Sequence, residues 1–399
     1  MKANVYYIAS GNKSGDVMNP KNEQFVKELS QKSGVEMSYT SLEELKEGEL
    51  NLVFIGGGGT EGMFLEVFDK LPSPILLLTT GENNSLAASM EILSFLRQKQ
   101  VPGEIIHGSL EDMSRRIQIL ARVFQTRKRI HGLRVGCVGE PSDWLISSGV
   151  DGEASKEKNG IEIIKIPMQE MFDEIAKKSY VANEYTKMIS DTGYKPEEVE
   201  KALEIYGALK RICEKYRLDS VTIRCFDLLG PVGSTGCAAL AVLNAEGIYA
   251  GCEGDIPSLI AMTVLGELSG QPVFMANPSR ILSDKKEIIF AHCTLPITMP
   301  LTFRCMTHYE SDLGVAFQGD LKEGPVTVFK CSGLLDQYFV AGGELVENLH
   351  EANLCRTQLK LRLKEGLDYF TTRSIGNHHL ICLGDYTEVV KEFFRWMNA

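Results

Sequence analysis

No apolar run in the chain reaches the ~18 residues that a membrane-spanning helix requires, so no membrane span is indicated. Positive charge is not in excess: 42 Lys and Arg stand against 53 Asp and Glu, for a net charge of −11. That balance argues against nucleic acid or an anionic membrane surface as a partner. It leaves room for an anionic small substrate, because a local pocket can be basic on an acidic protein. None of the ten cysteines forms a C-x-x-C pair, and Cys137, Cys225 and Cys382 sit in apolar, strand-like runs. The pattern reads as reduced, buried thiols rather than a disulfide framework. There is no Walker lysine, no internal repeat and no low-complexity segment. The opening residues Met1–Ile8 read as a first strand, with no room for a signal peptide. The expectation is a soluble, cytoplasmic protein.

What is present is an ordinary globular composition: 399 residues, 44% hydrophobic and 24% charged. At ~100–200 residues per domain, this length predicts two or three domains. From Val5 to Ile130, apolar strand-like runs alternate with segments of helical periodicity. That order implies a parallel sheet with helices on both faces. A second unit of the same kind opens near His131, with strands expected at 133–139 and 161–166. It closes with a charged amphipathic helix over Pro196–Tyr216. From about Leu218 short strands dominate, at 220–225, 287–292, 314–318, 326–330, 359–363 and 380–383. The expected fold class is therefore α/β: two doubly wound parallel-sheet units at 1–130 and 131–215. A mostly antiparallel β domain, barrel-like or α+β, is expected at 216–399.

The residues that carry chemistry stand at strand ends. Glu253 follows Gly247–Cys252, His292 follows Glu287–Ala291, and His378-His379 precede Leu380–Leu383. A carboxylate, the amide oxygen of Asn277 and these imidazoles, converging from separate strand ends, suit a divalent cation of the Mn²⁺ type. Such an ion can polarise a carbonyl and its neighbouring hydroxyl. Adjacent strand residues point to opposite faces, so one of His378 and His379 is expected at the centre. Asp255, before Ile256-Pro257, reads either as part of the site or as a helix N-cap. His308 and Glu310 share one face if their segment is extended, and either contact substrate or form a surface pair. Arg373 is a candidate for a substrate anion or hydroxyls, or a surface salt bridge. Gly56–Gly59 follows a strand without the G-x-G-x-x-G spacing of a dinucleotide loop. Its Gly57 and Gly58 are candidates for touching substrate at a sheet crevice.

Taken together, Cys252-Glu253-Gly254-Asp255 with its apolar helix, Leu268–Asn277, Ala291-His292-Cys293 and Gly376-Asn377-His378-His379 resemble the L-fucose isomerase and L-arabinose isomerase superfamily. The likeness is strongest over about residues 218–385. Asn83–Ala88 also resembles distant fucose isomerase-like members. The resemblance implies interconversion of an aldose and a ketose through a cis-enediol held on Mn²⁺. It makes Glu253 a metal ligand and the base, His378 or His379 the late histidine ligand, and His292 a histidine of the arabinose type. Asn377 would touch substrate. It also implies a homo-oligomer, trimeric or hexameric. The family's second carboxylate falls on Asn277, and an amide cannot act as a base. That departure points to an altered mechanism, to another acid such as Asp255 or Glu310, or to another substrate, such as a sulfonated or acidic sugar. The remaining alternative is a catalytically impaired sugar-binding protein on the same scaffold.

Overall fold

The computed structural model describes residues 1–9 and 20–397. The chain forms two compact units, one from Met1 to Arg129 joined by the segment from Lys391 onward, the other from Ile130 to Val390. In the first, five parallel strands lie in the spatial order Glu36–Tyr39, Lys2–Ile8, Asn51–Ile55, Ile75–Thr79, Gly103–Ile106. Every residue of Asn51–Ile55 and Ile75–Thr79 is buried. Such unbroken apolar runs are what a strand shows when helices cover both its faces.

The second unit contains a four-stranded parallel sheet and a closed six-stranded barrel. The sheet runs in the order Glu162–Ile166, Arg134–Val138, Ser220–Ile223, Tyr249–Cys252. The barrel is antiparallel and comprises Phe274–Leu282, Glu287–His292, Thr357–Leu363, Tyr338–Leu349, Gly324–Cys331 and His379–Leu383. Parallel sheets followed by a barrel match the expected class. Ser220–Ile223 and Tyr249–Cys252 lie beyond the expected boundary at 215/216, and they complete the parallel sheet begun by Arg134–Val138. The local patterns of these strands carry no mark of which sheet they join. Both are short, and their partners lie far away in sequence.

The helix Ile256–Ser269 ties sheet to barrel. Asp255 caps its start, Pro257 sits in its first turn, and Gly270 ends it in the left-handed conformation (φ 66°). Such an end is where glycine carries no steric cost. Residues from Ile256 to Ser269 are buried except Glu267, so the helix is apolar on every side rather than on one stripe. It packs against Tyr249–Cys252 and Ser220–Ile223 on one side and against barrel strands Gly324–Cys331 and His379–Leu383 on the other. Tyr338–Leu349, the longest barrel strand, is not evident in the sequence. It contains Gly342-Gly343 and two glutamates, so propensity argues against it and cross-strand packing sustains it. A Cβ at Gly343 would stand 2.7 Å from the Arg362 carbonyl oxygen, which explains the glycine.

Candidate active site

Glu253 leaves the end of Tyr249–Cys252 in the left-handed conformation, φ 65°, and Gly254 follows at φ 70°. A Cβ on Gly254 would lie 2.7 Å from the Glu140 carbonyl oxygen and 2.8 Å from Pro141 Cα, so only glycine fits. The Ser142 N–H donates to the Glu253 carbonyl at 2.9 Å. This tight double turn aims a buried carboxylate back over the strand ends. Non-glycine residues held in this region concentrate at functional sites.

The Glu253 carboxylate meets three side chains. Trp144 Nε1 donates to Oε2 at 2.6 Å. On the other oxygen, His378 Nε2 stands 3.4 Å away and His292 Nε2 4.0 Å away. His292 ends the strand Glu287–His292, and its Nδ1 lies 2.7 Å from Thr294 Oγ1. His378 immediately precedes the strand His379–Leu383, and its ring meets that of His292 edge-on with centroids 5.4 Å apart. Its Nδ1 lies 2.8 Å from Asp255 Oδ2. Asp255 is fully buried; it accepts from the Ser258 N–H at 2.9 Å as N-cap and from Ser258 Oγ at 2.7 Å. Lys330, also buried, hydrogen-bonds Ser258 Oγ and places its ammonium 4.0 Å from Asp255.

These contacts set the charges. Burial alone would raise the Glu253 carboxyl, but His378, then His292 and the Trp144 N–H, outweigh it and hold the group at about 2. Burial depresses His378, yet Asp255 and Glu253 overcome this and push it up to about 9. Burial, reinforced by the charge of His378, brings His292 down to about 3. Asp255 is held well below the usual carboxylate range by Lys330 and His378, against its burial.

Glu253, His292 and His378 each offer one ligand atom, and the three atoms lie within 4.8 Å of one another. His378 Nε2 is buried and makes no well-formed hydrogen bond, its ion-pair neighbour being Glu253 Oε1 at 3.4 Å. A buried nitrogen without a well-formed hydrogen bond is costly, and a cation bound there would remove that cost. Asp255 behind His378 fixes which ring nitrogen carries the proton, the usual arrangement behind a metal-bound imidazole. One carboxylate and two imidazoles suit a divalent transition ion.

The other expected residues fall elsewhere. His379 has both nitrogens engaged, Nδ1 at 2.9 Å from the Asn377 carbonyl and Nε2 at 3.1 Å from Tyr369 OH. It lies among Phe290, Phe339, Tyr369 and Phe370, outside the three-residue group. Asn277 is half-buried and accepts from Asn377 Nδ2 at 3.2 Å. Asn377 and His379 line a cavity of about 440 Å³ together with Trp144 and Pro278. His308 and Glu310 sit in the loop after Thr302–Met306 rather than on an extended segment. The Glu253 charge still reaches both. Arg373 pairs with Asp368 at 3.0 Å, both largely exposed. Gly57 and Gly58 belong to the first unit, where the Gly58 N–H donates to the Asn83 carbonyl at 2.7 Å. Sequence reasoning did not find Trp144 or Lys330 as parts of the site. Their partners lie 109 and 72 residues away.

No family model matches the chain. Its sequence is similar to the sulfoquinovose isomerases of Priestia aryabhattai and Priestia megaterium, 24% identical over 364 residues, spanning 85% of this chain and 82% of each relative. It is also similar to the sulfoquinovose isomerase of Alkalicoccus urumqiensis, 21% identical over 367 residues with the same coverage.

Proposed function

We propose that this protein is a metal-dependent aldose–ketose isomerase whose substrate is a sulfonated sugar of the sulfoquinovose type, a hexose bearing a sulfonate at C6. The observation that carries the reading is the buried Glu253–His292–His378 group, whose His378 Nε2 makes no well-formed hydrogen bond. The relatives' names supply the substrate class.

Glu253, His292 and His378 would hold the cation, with Mn²⁺ the ion proposed. When bound, it polarises the C1 carbonyl and C2 hydroxyl toward the enediol. Glu253 suits the role of ligand better than that of base, because a carboxyl held at about 2 has little affinity for a proton near neutral pH. Asn277 cannot carry protons either. Asp255 is committed to capping its helix and to His378. Glu310, exposed in the loop after Thr302–Met306, is near enough for the Glu253 charge to reach it. Burial and the Glu253 charge raise its pKa, the direction a general base needs. We assign it the proton transfer between C2 and C1. Trp144, which donates to Glu253, also lines a neighbouring cavity with Asn377. A trimeric or hexameric assembly remains part of the proposal, to be read by light scattering.

The test is a panel of sulfonated and neutral aldoses and ketoses, incubated with added Mn²⁺ and with EDTA. Metal-dependent formation of the sulfonated ketose is expected. Sugar-induced thermal stabilisation without turnover would replace this reading with that of a sugar-binding protein.

A further inference from the structure

Arg356, one residue before the barrel strand Thr357–Leu363, meets its carboxylate only at long range. Its side chain is 13% exposed. Three other guanidiniums that are 20–28% exposed meet close carboxylates: Arg116 lies 2.6 Å from Glu104, Arg211 2.6 Å from Glu174, and Arg224 2.8 Å from Asp143. Arg356 spends its donors on neutral oxygens, the Thr307 carbonyl at 2.7 Å and Thr307 Oγ1 at 3.1 Å. The carboxylate paired with it, Asp312, is 3.7 Å away and 86% exposed. The guanidinium also lies over the Tyr309 ring, 5.6 Å from its centroid. A largely desolvated cation with only a distant, hydrated counter-charge is a site for an anion.

Its position is set by the barrel. Arg356 immediately precedes Thr357, which pairs in register with His292. The Thr307-His308-Tyr309 segment that it grips leads back to the metal group. His308 stacks edge-on against Phe226 at 5.6 Å, Phe226 against Trp144 at 5.0 Å, and Trp144 donates to Glu253. The charges of Arg356 and Glu253 both reach His308.

We infer that Arg356 is the specificity-determining residue for the anionic end of the substrate, binding the C6 sulfonate while the C1–C2 end lies at Glu253, His292 and His378. This rests on the isomerase reading above and names the group that would select a sulfonated over a neutral sugar. A planar guanidinium can meet two sulfonate oxygens at once, which an ammonium cannot.

The experiment compares wild type, Arg356→Gln and Arg356→Lys, each loaded with Mn²⁺. It measures kcat/KM for sulfoquinovose and glucose, and the rise in Tm that sulfoquinovose produces. Arg356→Gln is expected to lower the sulfoquinovose-to-glucose ratio of kcat/KM at least about tenfold, mainly through KM, and to abolish the sulfoquinovose-induced Tm rise. Arg356→Lys is expected to recover part of both. Equal losses on the two sugars, or an unchanged ratio, would overturn the assignment. If wild type turns over neither sugar, the isomerase reading fails by itself. The Tm comparison then still decides whether Arg356 binds the sulfonate, and a rise that persists in Arg356→Gln rejects it.

Discussion

Asp255→Asn keeps the N-cap acceptor but removes the charge that holds the proton on His378 Nδ1 and balances Lys330. Losing the carboxylate behind a metal-bound imidazole costs ~10–100-fold in metal affinity. Mn²⁺ titration should show a weakening of that order, together with a lower Tm, because the Lys330 charge stays buried without its partner. Glu310→Gln should behave differently. If Glu310 moves the proton, kcat falls by about 10²–10⁴ while Mn²⁺ affinity and Tm barely change. A variant with near wild-type kcat would return the proton transfer to another group. Glu253→Gln, by contrast, should lose turnover and metal together, since the same carboxylate is the proposed ligand.

At the scale of elements, the turn that carries Glu253 is the most sensitive point. Gly254→Ala requires a side chain at φ 70° and a Cβ 2.7 Å from the Glu140 carbonyl. Strain of this kind costs on the order of 1–3 kcal/mol, so Tm should fall and Mn²⁺ should bind more weakly as Glu253 is displaced. Equal Mn²⁺ affinity in the variant would show that the turn does not set the ligand's position. The same element shows what the sequence conveys. Glu253, His292 and His378 could be read because each flanks a short apolar strand, and strand ends gather where a sheet or barrel opens. The pair His378-His379 announced through alternation that one would turn away. Which one depends on Asp255 and Tyr369, 123 and 10 residues distant from their histidine partners. Asn277 was legible as a departure from the family pattern, whereas its bond to Asn377 was not. Sheet membership is decided by partners far along the chain, which is why the sequence does not show that Ser220–Ile223 and Tyr249–Cys252 join the sheet of Arg134–Val138.

For the molecule as a whole, the proposed metal site would couple protons, metal and stability. His378 has its folded pKa raised to about 9 from 6.5. In the metal-free protein its contribution is therefore full below about 6.5 and is lost as pH rises through about 9. Tm of the metal-free protein should decline across that window. Mn²⁺ needs the deprotonated nitrogen, so its affinity should rise over the same range, with proton release on binding near pH 7. Calorimetry in buffers of different ionisation enthalpy measures that release. Bound Mn²⁺ should in turn raise Tm. A pH-independent affinity between 6.5 and 9 would mean that His378 is not a ligand.

The order in which the barrel is written along the chain has a consequence for synthesis. Its last strand, His379–Leu383, inserts between Phe274–Leu282 and Gly324–Cys331 and closes the ring. The histidine that completes the cluster stands one residue before that strand. A nascent chain can therefore expose Glu253 and His292 for some time without offering a finished site. On the proposed reading an ion is retained only once residue 378 has been made and the last strand has closed the barrel, so a chain stopped before residue 378 should emerge unable to retain metal.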